Sequence, residues 1–212
     1  MKISYSAVKR LPSYLRCLKE FSEDTKNVSS RLLAEKLGLG EILVRKDLSA
    51  ISGEGKPRIG YDRKTLISVL EETLGYNSEN SAVLVGAGKL GSALLDYGGF
   101  AEAGIRITAA FDNDIKKIGV SEGGKYIYPL SDFEEFCRQS NVKIGIITVP
   151  ADEAQGICDL MERSGLEAIW NFAPVSLKTD GGILIHNENM AESLALLSSF
   201  LKKRSDTESS ED

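Results

Sequence analysis

The chain is poor in the residues from which several kinds of protein are built. Its 212 residues include only three cysteines, one histidine, one tryptophan and five prolines. Cys17, Cys137 and Cys158 are odd in number and far apart, which argues against a disulfide framework and against paired zinc-ligand spacing, so no metal is expected. His186 is the single histidine on which acid–base chemistry near neutral pH can draw. No run approaches the roughly 20 apolar residues that cross a bilayer, so no membrane partner is expected. The opening Met-Lys-Ile-Ser-Tyr-Ser lacks the apolar core of a signal peptide, and a cytoplasmic location is expected. What is present suits a folded chain: 42% hydrophobic and 27% charged residues, enough for one large domain or two small ones.

Charge is distributed unevenly. The net value is −5, yet residues 1–76 carry 14 Lys/Arg against 10 Asp/Glu, a surplus of +4, and residues 77–212 carry 12 against 21, a deficit of −9. A basic first part suggests a polyanionic partner, although solvated helix faces also reach such a surplus. The last eight residues are polar and acidic and read as a frayed tail.

The basic part has the organisation of a winged helix. Leu11, Leu15, Leu18 and Phe21 stripe a helix over 12–22, with Pro12 in its first turn. Ser29 and Ser30 are candidate caps for a helix over 31–37. Gly38-Leu39-Gly40 breaks the chain, and a second helix over 41–51 follows, which is the helix-turn-helix arrangement. Arg45 and Lys46 on the second helix are the residue types that meet guanine edges and phosphates in a major groove. Asp47 beside them is expected to orient these cations. Residues 53–61 form a Gly-rich hairpin with Lys56 and Arg58, a candidate wing. A closing helix over 66–74 and a linker over 75–80 complete this part.

The remainder has the pattern of a dinucleotide-binding fold. The apolar run 81–85 leads into Gly86-Ala87-Gly88-Lys89-Leu90-Gly91 and a helical continuation. This is G-x-G-x-x-G in strand–turn–helix context: Gly86 for the tight turn, Gly88 for close approach of a pyrophosphate, Gly91 for close packing of helix on sheet. Asp112 ends the next apolar strand, 21 residues after Gly91, where an acid bonds ribose hydroxyls and repels a 2′-phosphate, favouring NAD(H) over NADP(H). Coenzyme A is the rival ligand, because similar folds bind its ADP portion. Further strands over 144–150, 168–172 and 183–186 place Thr148, Pro150, Asn171, Ala173 and Pro174 at strand C-terminal ends, where open parallel sheets bind ligands. A final helix over 190–201 carries a broad apolar face of Met190, Leu194, Leu196, Leu197, Phe200 and Leu201.

The residues offer little catalytic chemistry. His186 sits at a strand end, and Tyr97 lacks an evident lysine partner. A small NAD-dependent oxidoreductase and a CoA- or nucleotide-binding module remain open at this point. The absence of a substrate domain favours a regulator that is not an enzyme.

The chain resembles the bacterial redox-sensing repressor Rex family over essentially its whole length. The matching segments are residues 9–16, Ser29-Ser30, Val44-Arg45-Lys46-Asp47-Leu48-Ser49, Gly60-Tyr61, residues 85–91, Asp96-Tyr97, Phe111-Asp112, Thr148-Val149-Pro150 and Asn171-Phe172-Ala173-Pro174-Val175. The resemblance implies an α/β chain with an N-terminal winged helix-turn-helix domain (1–76; helices within 12–51, wing 52–61) and a Rossmann-like NAD(H)-binding domain (77–188). A domain-swapped helix (189–203) and a disordered tail (204–212) would follow. It implies a homodimer that binds a palindromic operator in double-stranded DNA when NADH is low and releases it when NADH binds. Carried over residue by residue, Arg10, Ser30, Arg45, Lys46, Lys56 and Arg58 become DNA contacts. Residues Gly86, Ala87, Gly88, Lys89, Leu90, Gly91, Asp112, Thr148, Pro150, Asn171, Ala173, Pro174 and Tyr97 become contacts of NADH or NAD+. Arg16, Tyr97 and Asn189 become the redox-coupling positions.

Two departures from the family pattern stand out. Lys56-Pro57-Arg58-Ile59-Gly60-Tyr61 shifts the wing cation by one place and lacks one glycine, which implies altered phosphate contacts. Asn189 stands where the family carries an acid, which implies altered NAD+/NADH discrimination unless Glu188 substitutes.

Overall fold

The computed structural model describes residues 3–78 and 80–208, and the chain divides into two compact units, with the division between residues 79 and 80. The first unit is mostly helical: α1 (Tyr5–Val8), α2 (Leu11–Lys19), α3 (Ser30–Leu37), α4 (Glu41–Ser52) and α5 (Arg63–Thr73). Ser29 caps α3 by accepting from the Leu32 N–H at 3.1 Å, and left-handed Gly38 ends it. α3 and α4 are the expected helix-turn-helix pair. Tyr14, Leu18, Leu33, Val44, Leu48, Leu66 and Leu70 are fully buried between the helices.

Two short strands were not visible in the periodicity. β1 (Asn27–Val28) pairs antiparallel with β2 (Tyr61–Asp62), closing the helical unit with a small sheet. The wing is correspondingly less regular than the expected hairpin. It is a tight turn held by one bridge, with the Lys56 N–H donating to Gly60 O at 2.9 Å and the Gly60 N–H to Lys56 O at 2.8 Å. Pro57 has no N–H to give a ladder, and Arg58 is left-handed (φ 62°), the one non-glycine residue with positive φ among the described residues.

Asp47 differs from its expected role. It is buried and accepts a bidentate pair from Arg10 (Nε 2.7 Å, Nη2 2.9 Å) and the Tyr14 hydroxyl (2.6 Å). Successive helix positions point to different faces, so Asp47 points into the unit while Arg45 and Lys46 face solvent. Its carboxylate therefore ties α4 to the segment joining α1 and α2 rather than orienting the neighbouring cations.

The second unit is a seven-stranded sheet: β3 (Asn80–Val85), β4 (Ile105–Asp112), β5 (Gly119–Val120), β6 (Tyr126–Pro129), β7 (Val142–Ile147), β8 (Ala168–Asn171) and β9 (Leu184–Asn187). The order is β5-β6-β4-β3-β7-β8-β9, parallel throughout except the β5–β6 pair. Leaving aside the short β5, this is the doubly wound order that reverses between β3 and β7, and a Rossmann-like sheet opens its crevice there. The helices are α6 (Lys89–Leu95), α7 (Gly99–Glu102), α8 (Phe133–Gln139), α9 (Ala151–Arg163) and α10 (Met190–Glu208). Alternate residues of β3 enter opposite cores: Val83 and Val85 pack with Phe111 and Phe133, Ala82 and Leu84 with Leu95 and Ile107.

α10 is longer than the expected 190–201. Residues 204–208, expected as disordered tail, continue the helix, because adding a residue to an existing helix costs far less than starting one; residues 209–212 lie outside the described residues. Among the described residues no helix is long and apolar enough to cross a membrane.

The Asp47 network predicts an acid-sensitive first unit. Burial opposes ionisation of Asp47, but the bonds from Arg10 and Tyr14 outweigh it and hold the pKa below the ordinary 3.8. A carboxylate with a depressed folded-state pKa stabilises fully above its unfolded value and loses that contribution as pH falls below about 4. Asp47→Ala leaves Arg10 and Tyr14 without their acceptor and is expected to cost about 3 kcal/mol in urea unfolding at pH 7. The difference from the parent should shrink as pH drops through 4.

Candidate functional site

The second unit holds a cleft of about 540 Å³ at the C-terminal ends of β3, β4 and β7. Gly86, Gly88, Asp112, Thr148 and Pro150 line it, as expected from the sequence. The Gly86 N–H donates to Phe111 O at 2.8 Å, and the Thr148 hydroxyl bonds Gly86 O at 2.7 Å, so the glycine loop is fixed from both neighbouring strands.

The three motif glycines have different reasons to be glycine. A Cβ on Gly91 would lie 1.9 Å from Gly86 O, so α6 can pack on the loop only without a side chain there. A Cβ on Gly86 would lie 2.8 Å from the Thr148 backbone. A Cβ on Gly88 would meet nothing within 4 Å. The fold leaves room for a side chain there, and open space against a loop backbone is what a pyrophosphate would need.

Asp112 is buried at the end of β4. It accepts from the Ala87 N–H (2.7 Å), the Asp114 N–H (2.8 Å) and Lys117 Nζ (3.0 Å). Burial raises the cost of its charge, but these three donors together keep its pKa below 3.8. An ionised acceptor at this strand end is the kind of group that suits ribose hydroxyls and repels an added phosphate.

The other expected contacts are not among the residues that line the cleft. Ala87, Lys89, Leu90 and Gly91 shape the loop and α6 without forming the cleft wall. Asn171 is fully buried and used internally: its amide donates to Ala173 O, Val175 O and Asn187 Oδ1, and its own Oδ1 accepts from the Ala173 N–H. It folds the 171–175 turn, Ala173 and Pro174 included. Tyr97 is exposed and stacks edge-on against Phe100 at 5.0 Å, which continues to Trp170 and Phe172. Asn189 caps α10, accepting from the Ala191 and Glu192 N–H groups at 3.1 Å each. His186 lies 3.6 Å from Glu188. The three cysteines are buried, and burial pushes the Cys137 thiol up to about 11, far from a reactive thiolate.

Sequence reasoning missed Asn113, Lys117, Leu130, Glu153 and Ile157, which also line the cleft. Lys117 and Glu153 carry no motif; only their distances from Asp112 and Pro150 along the chain hinted at them.

The first unit carries a groove of about 900 Å³ between α3, α4 and the wing turn. Ser30, Arg45, Lys46, Lys56 and Arg58 line it, joined by Arg31 in the first turn of α3. Arg31 is held by Glu35 at 2.9 Å. Glu41 and Glu54 are the acids of this groove, so its lining is net basic. Arg10, expected to contact DNA, is not among the lining residues; its guanidinium is paired with Asp47. Arg16 is exposed on α2.

Comparison with known proteins agrees with both units. A family model described as "Putative DNA-binding protein N-terminus" matches residues 2–49, and one described as "CoA binding domain" matches residues 77–175. The redox-sensing transcriptional repressor Rex of Treponema denticola is 38% identical over 90% of this chain and 91% of its own length. That of Brevibacillus brevis is 38% identical over 94% and 97%. The crystal structure of RSP in complex with β-NAD+ and operator DNA matches with a TM-score of 0.90 at 31% identity, covering 99% of this chain and 97% of that one. RSP in complex with β-NADH matches at 0.88 and 30%, covering 99% of each. On this sequence similarity over nearly the whole chain, the protein belongs to the redox-sensing transcriptional repressor Rex family.

Proposed function

We propose that this chain is a DNA-binding repressor that reports the NADH/NAD+ ratio, holding operator DNA when NADH is low and releasing it when NADH binds. The observation that carries this reading is the buried, ionised Asp112 beside the open space at Gly88, a pairing suited to a dinucleotide. The first unit binds DNA: α4 enters a major groove with Arg45 and Lys46, while Ser30, Lys56 and Arg58 hold flanking phosphates. The second unit through residue 188 holds the dinucleotide. Its glycine loop takes the pyrophosphate and Asp112 the adenosine ribose, while Thr148 keeps the loop in place. When bound, the nicotinamide supplies only its oxidation state as a signal.

CoA, the rival raised by the matched domain model, carries a phosphate on the ribose that would face Asp112 and Asp114 at this strand end. Repulsion between like charges disfavours it there and favours NAD(H). The protein acts as a regulator rather than an enzyme, a reading supported by relatives named as repressors. It works in the cytoplasm, where operator and dinucleotide pool meet. α10 forms a homodimer, supported by Met190, Leu194, Leu196, Leu197, Phe200 and Leu201, each more than half exposed in the single chain. A dimer matches a palindromic operator by symmetry. Arg16 and Tyr97 report nicotinamide state, and Asn189 contributes by fixing the start of α10.

Fluorescence anisotropy on a palindromic operator-like duplex, at one salt concentration with NADH, NAD+ or no ligand, tests the reading. Release by NADH alone is expected; binding indifferent to NADH would overturn the sensing role. Arg45→Ala and Lys46→Ala should each weaken operator binding by roughly 1–3 kcal/mol if they read bases. Gly88→Val should keep thermal stability near that of the parent while abolishing NADH binding by calorimetry. Gly91→Ala should lower the melting temperature, because its Cβ meets backbone.

A further inference from the structure

The short link between α6 and α7 carries two adjacent glycines that the backbone does not ask for. Gly98 has φ −71° and ψ −21°, and Gly99 is not among the residues with positive φ, so alanine fits either backbone conformation. Gly99 opens α7, where alanine is the better helix former. The two glycines differ in what surrounds them. A Cβ on Gly98 would meet nothing within 4 Å. A Cβ on Gly99 would lie 2.5 Å from Tyr97 Cε1 and 2.6 Å from both its Cζ and its hydroxyl oxygen. The Tyr97 ring therefore lies over the bare backbone of Gly99 and meets Phe100 edge-on at 5.0 Å.

The chain entering this contact is anchored as well. The Tyr97 N–H donates to Leu94 O at 3.2 Å, and Asp96 accepts from the Ser121 hydroxyl at 2.9 Å. The Tyr97 side chain is 59% exposed, and its hydroxyl has no hydrogen-bond partner among the described residues. Side chains this exposed ordinarily flip between rotamers. This ring is instead seated against a backbone that only glycine leaves open to it.

We propose that Gly99 is a positioning residue: by lacking a Cβ it holds the Tyr97 ring, and with it the free hydroxyl, in the orientation from which Tyr97 reports nicotinamide state. The inference rests on the reporting role given to Tyr97 above and names the residue that sets its geometry. Ordinary van der Waals contact begins at 3.4 Å, so a methyl group on Gly99 must displace the ring. The ring is the far end of a flexible, exposed side chain, so it moves and the fold does not.

Operator release by NADH, read by fluorescence anisotropy on the full-length protein, tests this. Tyr97→Ala should raise the NADH concentration needed for half-release. Gly99→Ala should raise it roughly tenfold, within the range over which contacting residues couple. Its melting temperature and its operator affinity without ligand should stay near those of the parent. Gly98→Ala should match the parent throughout, and Gly99→Ala added to Tyr97→Ala should change nothing further. A parent-like response in Gly99→Ala, a marked fall in its melting temperature, or a further loss in the double variant would overturn the assignment of Gly99 while leaving the role of Tyr97 intact. A parent-like response in Tyr97→Ala would overturn that role, and this inference with it.

Discussion

A carboxylate taken out of water must find donors, and each unit of this chain is organised around one that has. Asp47 in the first unit collects Arg10 and Tyr14; Asp112 in the second collects Ala87, Asp114 and Lys117. Removing either set of donors leaves a buried charge uncompensated, which the rest of the packing cannot tolerate cheaply. The two networks act on elements that wall the groove and the cleft. Asp47 holds α4, the helix on whose other face Arg45 and Lys46 lie, to Arg10 and Tyr14. Asp112 holds the N–H of the residue between two cleft glycines. Both fix a surface by anchoring its underside.

The second unit shows how sheet order and residue size jointly make a binding place. β3 lies between β4 and β7, so the chain leaves its C-terminal end with neighbours departing in opposite directions. A crevice at that point follows from connectivity alone. What makes it narrow and polar is local: Gly91 lets α6 press on the loop, and Thr148 ties the loop to the next strand. Gly88 is the exception among these tight contacts, a small residue with room around it.

The sequence made the fold legible wherever a pattern repeated over enough residues. Apolar strands 81–85 and 105–111, the G-x-G-x-x-G turn and the capped pair of short helices were readable because each has a period or a spacing. The two-residue strands β1 and β2 were not, since two residues carry no alternation, and α7 and α8 are short enough to pass for loops. Site residues divided along the same line. Gly86, Gly88, Asp112, Thr148 and Pro150 sit at positions that motif or topology defines, and they line the cleft. Asn171 also sits at a strand end, but its side chain turns inward to satisfy its own loop, which no spacing announces. Arg10 looked like a free cation because its partner is 37 residues away in sequence.

The left-handed Arg58 bears on the kinetics of engagement. An L-residue in this conformation carries a standing strain of about 1 kcal/mol that glycine would avoid. It also has fewer alternative conformations within reach than glycine, so the wing turn offers its cation from a narrow range of positions. In the phosphate contact proposed for that cation, less freedom is then left to surrender. The chain accepts a slightly weaker fold at one turn and holds the backbone of that turn to one shape.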